Sequence, residues 1–222
     1  MAYRRTEKVK QRLAARRDAI VAAAEALAAE GGMAAVQIAP VAARAGIAAG
    51  TVYRYFPSKT ELVEALVAAA AEREIAAMRA AAGTAPGPMS ALAAALVTFA
   101  ARALRQRRLA WAVIAEPIDA EVDGARLSYR RAIVEEIETR LRAAIPDAPS
   151  DLDAALVAPA LTGAVLEGLV GPLAPAAVDD DASRRRNAVQ MLTLMALQGI
   201  GIAAARARGL VVQAPWPPED AA

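Results

Sequence analysis

Two short apolar segments, separated by a glycine, lie between Gln37 and Lys59, where the chain reads QIAPVAARAGIAAGTVYRYFPSK. Each segment has the length and spacing of a short helix, with Val41 inside the first and Val52 inside the second. Gly46 lies between them and can adopt turn conformations that other residues avoid. Two helices joined in this way form a helix-turn-helix, which presents its second helix to the major groove of DNA. The segment therefore predicts DNA binding, and the alternative is a helical hairpin unrelated to DNA.

The same residues resemble a known family. The pattern V-A-x-x-A-G-I-x-x-G-T-V-Y-R-Y-F-P-S-K-x-x-L, within residues 37–62, is similar to the DNA-binding segment of the TetR family of transcriptional regulators. This resemblance implies an all-α fold of nine helices, with an N-terminal helix-turn-helix domain and a C-terminal domain for ligand binding and dimerisation. It also implies a homodimer that binds double-stranded DNA, most commonly as a repressor released by a small molecule.

The resemblance and the helical spacing assign the DNA contacts to residues on and beside the second helix. Among them Thr51, Tyr53 and Arg54 can donate hydrogen bonds to base edges, and alanines can contact thymine methyl groups. Few polar side chains face the bases, so we expect modest base recognition supplemented by phosphate contacts and groove shape. The full set of predicted DNA-binding residues is Gln37, Ala48, Ala49, Gly50, Thr51, Tyr53, Arg54, Tyr55 and Lys59.

Charge is distributed unevenly along the chain. Residues 1–60 carry ten basic and four acidic side chains, whereas residues 61–222 carry sixteen basic and twenty acidic ones. A basic N-terminal part on an acidic body indicates that one end contacts a polyanion. Seven of the ten basic residues precede Asp18. They can form an arm that reaches the minor groove, or a disordered tail that adds only non-specific attraction, and the sequence leaves both open.

The remaining pattern predicts helices throughout, in keeping with 63 alanines in a chain of 222 residues. Residues 1–60 are predicted to form the DNA-binding domain, 61–212 the ligand-binding and dimerisation domain, and 213–222 a loose tail. Gly209 is predicted to end the last helix. The nine predicted helices span approximately 11–30, 38–44, 48–55, 58–78, 90–105, 109–114, 122–144, 150–170 and 181–208.

The second domain offers two sets of candidate residues. Bulky and polar side chains on its central helices are expected to include the lining of a largely apolar effector pocket, with Trp111 as the first choice for its wall. The candidate ligand-binding residues are Met78, Leu96, Phe99, Trp111, Ile114, Tyr129, Arg130, Thr162 and Leu166. The last two helices mix small and large apolar residues, which predicts a symmetric four-helix interface. The candidate dimerisation residues are Leu161, Ala164, Gly168, Leu192, Met195, Gly199 and Ile202.

The composition excludes several classes of chemistry. The chain has no cysteine and no histidine, so disulfides, thiolate or imidazole metal sites and a Ser-His-Asp triad are impossible. We expect no cofactor, no catalytic activity, no membrane partner and a cytoplasmic location. The alternative is an all-helical small-molecule carrier or enzyme with an incidental basic N-terminus. The effector, the operator and the regulated genes cannot be predicted from the sequence.

Overall fold

The computed structural model of the chain describes residues 2–116, 120–146, 153–175 and 181–218, and the description that follows is of these residues. They contain ten α-helices and no strand, so the predicted all-α fold is confirmed. A 3-10 turn, Met33–Ala35, follows the first helix, and a π-helical turn, Leu166–Val170, continues the eighth. The helices are α1 (Ala2–Gly31), α2 (Ile38–Arg44), α3 (Ala49–Tyr55), α4 (Lys59–Gly83), α5 (Pro88–Arg105), α6 (Arg107–Ile114), α7 (Ala120–Ala144), α8 (Ala154–Val165), α9 (Ala182–Gly199) and α10 (Ala204–Gln213).

Side-chain caps fix the starts of three helices, α4, α8 and α9. The Ser58 hydroxyl accepts a hydrogen bond from the Glu61 N–H at 3.1 Å and begins α4. Asp153 and Asp181 cap α8 and α9 in the same way, through the N–H groups of Ala155 and Ser183. These caps satisfy N–H groups that have no partner inside their own helix.

Helix α5 lies at the centre of the molecule. All residues from 91 to 101 are buried, and α4, α7, α9 and α10 pack around them. Alanines fill many of these positions, so neighbouring helices can approach the α5 backbone closely. One continuous core joins this bundle to α1, α2 and α3. Helix α4 packs on α1 as well as on α5 and α7, and so connects the two parts of the molecule.

The predicted single helix over 181–208 is wrong, because two helices occupy this region. Helix α9 ends at Gly199, and Gly201 follows in a left-handed conformation with φ of 88°. The N–H groups of Gly201 and Ile202 donate to the Gln198 and Leu197 carbonyls, which is the Schellman arrangement of a helix end. Gly209 therefore lies inside α10 and does not end a helix.

The two chain ends also differ from the expectation. Helix α1 begins at Ala2 rather than near Gln11. Residues 214–218, predicted to be loose, are held in place: the Arg105 guanidinium donates to the carbonyls of Pro217 and Pro218, at 2.9 and 2.6 Å. The Arg186 guanidinium also lies 5.1 Å from the centre of the Trp216 ring. Residues 219–222 lie outside the described residues. None of the described helices is both long and apolar enough to span a membrane.

Candidate functional site

The helix-turn-helix forms as the sequence predicts. Gly46 has φ of 65°, and the N–H groups of Gly46 and Ile47 donate to the Ala43 and Ala42 carbonyls at 3.2 and 3.0 Å. This Schellman turn ends α2 and sends the chain into α3. Val41 and Val52 are completely buried between α1, α2 and α3. The buried sides of the two short helices therefore fix the direction in which α3 presents its outer face.

The outer face of α3 holds most of the predicted DNA-binding residues. Ala48, Ala49, Gly50 and Arg54 are exposed, and 51% of Tyr53 is accessible. Thr51 and Tyr55 are half-buried, and the Tyr55 ring packs against the core. The Arg54 guanidinium lies 5.8 Å from the centre of the Tyr55 ring. The structure thus leaves Tyr53 and Arg54 as the most accessible large side chains of α3.

Gln37 and Lys59 lie at the starts of the helices on either side of α3. Gln37 is the exposed residue before α2, and its side-chain amide donates to the Ala34 carbonyl at 3.0 Å. Lys59 is the half-buried first residue of α4. A cation at a helix N-terminus adds its charge to that of the exposed N–H groups, and both attract phosphate. Gln37 and Lys59 therefore stay candidates for phosphate contacts, one on each side of α3.

Helix α1 contains the basic N-terminal residues that the sequence analysis described as an arm or a tail, and the sequence analysis missed their helical conformation. Residues 7–19 are exposed on every side of the helix, and burial begins at Ile20. This stretch is called the projecting segment below. Arg17 near its end places its guanidinium 5.0 Å from the centre of the Phe56 ring, directly after α3. The signal in the sequence was the spacing of Lys8, Arg12 and Arg16, four residues apart.

A small cavity of about 40 Å³ lies between α1, α4, α5, α6 and α7. Three of the predicted ligand-binding residues line it, namely Phe99, Ile114 and Tyr129. The lining that the prediction missed consists of Glu25, Ala70, Arg73, Glu74, Arg102, Ala103, Gln106, Leu109, Ala110 and Val113. Because Glu25 belongs to α1, which packs on α2, the cavity touches both the DNA-binding part (α1, α2 and α3) and the helical bundle.

Charged groups meet at one side of this cavity. The Arg102 Nε–H donates to Glu74 Oε2 at 3.0 Å, and the Arg73 guanidinium lies 2.5 Å from the Glu25 carboxylate. Burial raises the pKa of Tyr129, and the nearby Glu74 carboxylate raises it further. The Tyr129 phenol is therefore neutral at physiological pH. The cavity combines apolar walls with a buried ion pair and a phenol, as ligand sites commonly do.

The other predicted ligand-binding residues lie away from the cavity lining. Met78, Leu96 and Leu166 are buried in the core. Thr162 is buried and donates its hydroxyl to the Ala158 carbonyl of its own helix, at 2.9 Å. Trp111 is half-buried against the core, and Arg130 is exposed. Their helical spacing reflects packing, and spacing alone does not reveal which packed residues border an empty volume.

A hydrogen bond joins the end of α6 to the start of the helix-turn-helix. The Met33 N–H donates to Glu116 Oε2 at 2.9 Å, in the turn between α1 and α2. Arg126 of α7 donates to the carbonyls of Glu116 and Ala112, and so holds the C-terminal end of α6. Burial lowers the pKa of Arg126, against the opposing effect of Glu116 and Asp123. The helix that lines the cavity is thereby linked directly to the DNA-binding part.

Apolar side chains are exposed on α8 and α9. Leu156 and Met191 are each 69% exposed, and Met195 is 52% exposed. Among the predicted dimerisation residues, Met195 and Gly199 are exposed, whereas Leu161, Ala164, Gly168, Leu192 and Ile202 are half-buried. Gly168 packs within the chain, since a Cβ atom there would lie 3.2 Å from Leu192. Large apolar side chains left in water commonly indicate a protein interface.

No group of three acidic residues is placed to hold a metal ion in the part of the chain that the structure describes.

Comparisons with known proteins agree with this geometry. Residues 20–66 match the family model described as "Bacterial regulatory proteins, tetR family". The "HTH-type transcriptional repressor KstR" of Rhodococcus jostii (strain RHA1) is 52% identical over 58 residues, or 26% of this chain and 27% of that protein. Its counterpart in Mycolicibacterium smegmatis is 54% identical over 48 residues, or 22% and 24% of the two chains. The chain thus aligns with only about a quarter of the length of these curated relatives.

Solved structures share the fold over most of the chain. RolR in complex with resorcinol has a TM-score of 0.62 and 20% identity, covering 94% of this chain and 98% of that one. The regulator FadR from Bacillus subtilis in complex with stearoyl-CoA has a TM-score of 0.64 and 19% identity, covering 78% and 96%. Residues 20–66 are thus similar to the DNA-binding segment of TetR-family regulators, and the solved structures show that the remaining helices adopt the same overall fold.

Proposed function

We propose that the chain is a sequence-specific transcriptional regulator, a repressor that binds a near-palindromic operator as a dimer and releases it when a small molecule binds. The observation that carries this proposal is the exposed face of α3, held by the buried Val41 and Val52 and flanked by Gln37 and Lys59. We assign the nine predicted DNA contacts to this face and its two flanks. The curated relatives are named as repressors, which favours repression over activation.

Dimerisation is part of this proposal. The exposed Leu156, Met191 and Met195 form the apolar part of the α8 and α9 surface, together with Gly199 and the half-buried candidates. A two-fold axis through this surface would pair α8 and α9 with their copies in a four-helix interface. The two α3 helices would then enter successive major grooves, about 34 Å apart or slightly more.

The size and position of the cavity indicate how effector binding would change the structure. A volume of about 40 Å³ holds only a few water molecules, whereas typical ligand pockets enclose about 300–1,000 Å³. An effector of ordinary size that binds in this cavity must therefore separate the surrounding helices. Among these, α4 continues directly from the DNA-binding part, and α6 is followed by Glu116, which is bonded to Met33.

An effector that fits the expanded cavity would consequently favour a different orientation of the DNA-binding part. DNA affinity falls by the difference between the effector's affinities for the two conformations. The solved relatives contain ligands as different as resorcinol and stearoyl-CoA, which supports ligand binding in this fold without selecting a chemical class. We propose an effector that is largely apolar, with a polar group for the Glu74, Arg102 and Tyr129 side of the cavity. A bound effector that leaves the spacing of the two α3 helices unchanged would contradict this mechanism.

DNA binding is tested by fluorescence anisotropy with a duplex that the full chain selects from a random pool. We expect Tyr53→Ala to weaken binding at least tenfold, because base or phosphate contacts typically contribute about 1–3 kcal/mol each. Leu127→Ala is the matched control, since Leu127 is 49% exposed on α7. Circular dichroism and light scattering should show unchanged folding and assembly in both variants.

The alternative class, an all-helical carrier or enzyme, gives a different result in the same experiment. Such a protein would select no preferred sequence from the pool. Its wild type and its Tyr53→Ala variant would bind DNA equally weakly. Effector binding is tested separately with a thermal-shift screen of small molecules, because a ligand of the native state raises its stability. A compound that raises Tm and lowers DNA affinity should lose both effects in Ala110→Leu, which fills the cavity. We place the protein in the bacterial cytoplasm as part of this proposal.

A further inference from the structure

Helix α1 extends well beyond the folded body. The projecting segment, residues 7–19, is exposed on all sides, whereas Ile20, Val21 and Ala24 beyond it are buried. At 1.5 Å per residue it is about 20 Å long. Isolated helices shorter than about 12–15 residues are only marginally stable in water. Because residues 7–19 are exposed on all sides, the projecting segment lacks the packing that supports the rest of α1.

The charges of the projecting segment further destabilise its helical conformation. Lys8, Arg12 and Arg16 follow one another at intervals of four residues and so lie along one face. Like charges at this spacing destabilise a helix by a few tenths of a kcal/mol per pair. Only Glu7 and Asp18 are acidic among residues 7–19. A polyanion along the cationic face would remove the repulsion and stabilise the helix.

The C-terminal end of the projecting segment, which is its base, lies beside α3. Arg17 stacks on Phe56, the residue that follows α3. DNA that receives the outer face of α3 must therefore pass close to the base of the projecting segment. The helical conformation also decides between modes of contact, because an α-helix with side chains is about 10–12 Å wide and the minor groove is about 6 Å wide. A helical segment cannot enter the minor groove as an extended arm does.

We propose that the projecting segment is a second DNA-binding element, which lies along the phosphate backbone beside the site read by α3. Lys8, Arg12 and Arg16 hold it there by contacts to phosphates. The inference rests on the proposed function. It assigns to these residues affinity without sequence preference, since phosphate contacts carry no direct sequence information.

The test is the salt dependence of DNA binding by the full chain carrying Lys8→Gln, Arg12→Gln and Arg16→Gln together. Glutamine keeps the helix propensity and removes three positive charges. The slope of log affinity against log salt concentration should become shallower by about 2.7 for each bound protomer, or about 5.4 for the proposed dimer, because each phosphate contact contributes about 0.9. Affinity at about 0.1 M salt should fall at least tenfold, with an unchanged ratio between the selected duplex and a scrambled one.

The matched control removes three charges elsewhere, with Arg131→Gln, Arg206→Gln and Arg208→Gln. These exposed residues lie on α7 and α10, which pack on other helices of the bundle, and we expect a slope within about 0.5 of wild type. Hydrogen exchange of residues 7–19 should slow when the wild type binds DNA, and less so in the Lys8, Arg12 and Arg16 variant. Both measurements are made after circular dichroism confirms that each variant is folded.

Three outcomes would overturn the inference. Equal slopes for the variant and wild type would show that the segment does not touch phosphates, and a changed sequence preference would assign it to base recognition. An unchanged slope combined with weaker binding of the variant to phosphatidylglycerol vesicles would assign it to a membrane surface. In each of these cases the wild type still binds its selected duplex, so the failure is distinct from a failure of the proposed function, in which no duplex is selected at all.

Discussion

The turn after α2 and the turn after α9 share one backbone arrangement but connect very different parts of the molecule. In both, a glycine with positive φ follows the helix end, and two successive N–H groups donate back to the last turn. The turn at Gly46 joins two seven-residue helices whose outer face is available to DNA. The turn at Gly201 folds α10 back onto α9 and α5. The same local chemistry therefore sets the direction of a recognition helix in one region and completes a helical bundle in the other.

The two regions also differ in how closely their sequences follow those of relatives. The family model matches residues 20–66 only, whereas solved relatives share the fold over most of the chain at about 20% identity. A helix-turn-helix must meet one unchanging partner, the major groove, and this fixes many of its residues. The bundle must only fill its interior, and many sets of apolar residues do so. Substitutions in the two regions are therefore expected to differ in their effects on DNA binding and on stability.

The largest effect is expected from a change in the bundle that disrupts DNA binding without touching the DNA-binding part. Met191→Glu combined with Met195→Glu places two charges on the exposed apolar face of α9, and repulsion across the two-fold axis should yield a monomer. Loss of the second half-site contact should weaken operator binding by about a hundredfold or more. Light scattering measures the mass and anisotropy the affinity.

Val212→Glu is the control for this pair, because Val212 is 72% exposed on α10 and lies outside the proposed interface. It should leave both mass and affinity unchanged. If the doubly substituted protein remains dimeric, the proposed α8 and α9 interface is wrong, whatever happens to DNA binding.

An intermediate effect is expected inside the bundle, with no consequence for DNA. Glu136 of α7 is 4% exposed and accepts hydrogen bonds from Arg79 of α4 and Arg140 of α7, each at 2.8 Å. Burial raises the pKa of Glu136, but the bonds from Arg79 and Arg140 outweigh burial and leave the pKa below its ordinary value of 4.5. Glu136→Gln should lower the free energy of unfolding by about 1–2 kcal/mol at pH 7.

The sign of the pKa shift predicts the pH dependence. A carboxylate whose pKa is lower in the folded than in the unfolded protein contributes stability above its unfolded pKa, and this stability is lost as pH falls through the folded pKa. The difference between Glu136→Gln and wild type should therefore shrink in urea titrations as pH drops below 4.5. Glu138→Gln is the control on the same helix, because the partner of Glu138, Arg142, is 63% exposed, and we expect it to change stability by less than about 0.5 kcal/mol. A difference for Glu136→Gln that stays constant with pH would contradict the assigned pKa.

Sequence alone predicted the helix-turn-helix and its exposed face because local rules govern them. The Gly46 turn and the Ser58 cap each bond residues only a few positions away along the chain, and Val41 and Val52 follow from helical spacing. The break at Gly201 was missed because Ala203, Ala204 and Ala205 continue to favour helix. The turn is stabilised only by the packing of α10 on α9, which the local sequence does not reveal. The start of α1 was missed because a fully exposed helix carries no apolar periodicity.

The cavity was predicted only in part for a similar reason. Phe99, Ile114 and Tyr129 line it, but Met78, Leu96 and Leu166 have the same apolar character and lie in solid core. Whether a buried side chain borders an empty volume depends on how helices distant in sequence fit together. The charged members of the lining were missed because such residues are typical of exposed helix faces; they are Glu25, Arg73, Glu74 and Arg102.

The smallest effect returns to the two glycine turns and tests the comparison directly. Gly46→Ala and Gly201→Ala each add one methyl group, and in both positions the space around it is empty within 4 Å. The cost is therefore backbone strain alone, about 1 kcal/mol for an alanine with positive φ. We expect equal losses of unfolding free energy in urea titrations. Gly46→Ala should also weaken operator binding severalfold, because it redirects α3, whereas Gly201→Ala should leave the affinity of the dimer within twofold of wild type. Equal losses of DNA affinity in both variants would mean that the turn after α9 also sets the position of the recognition helix.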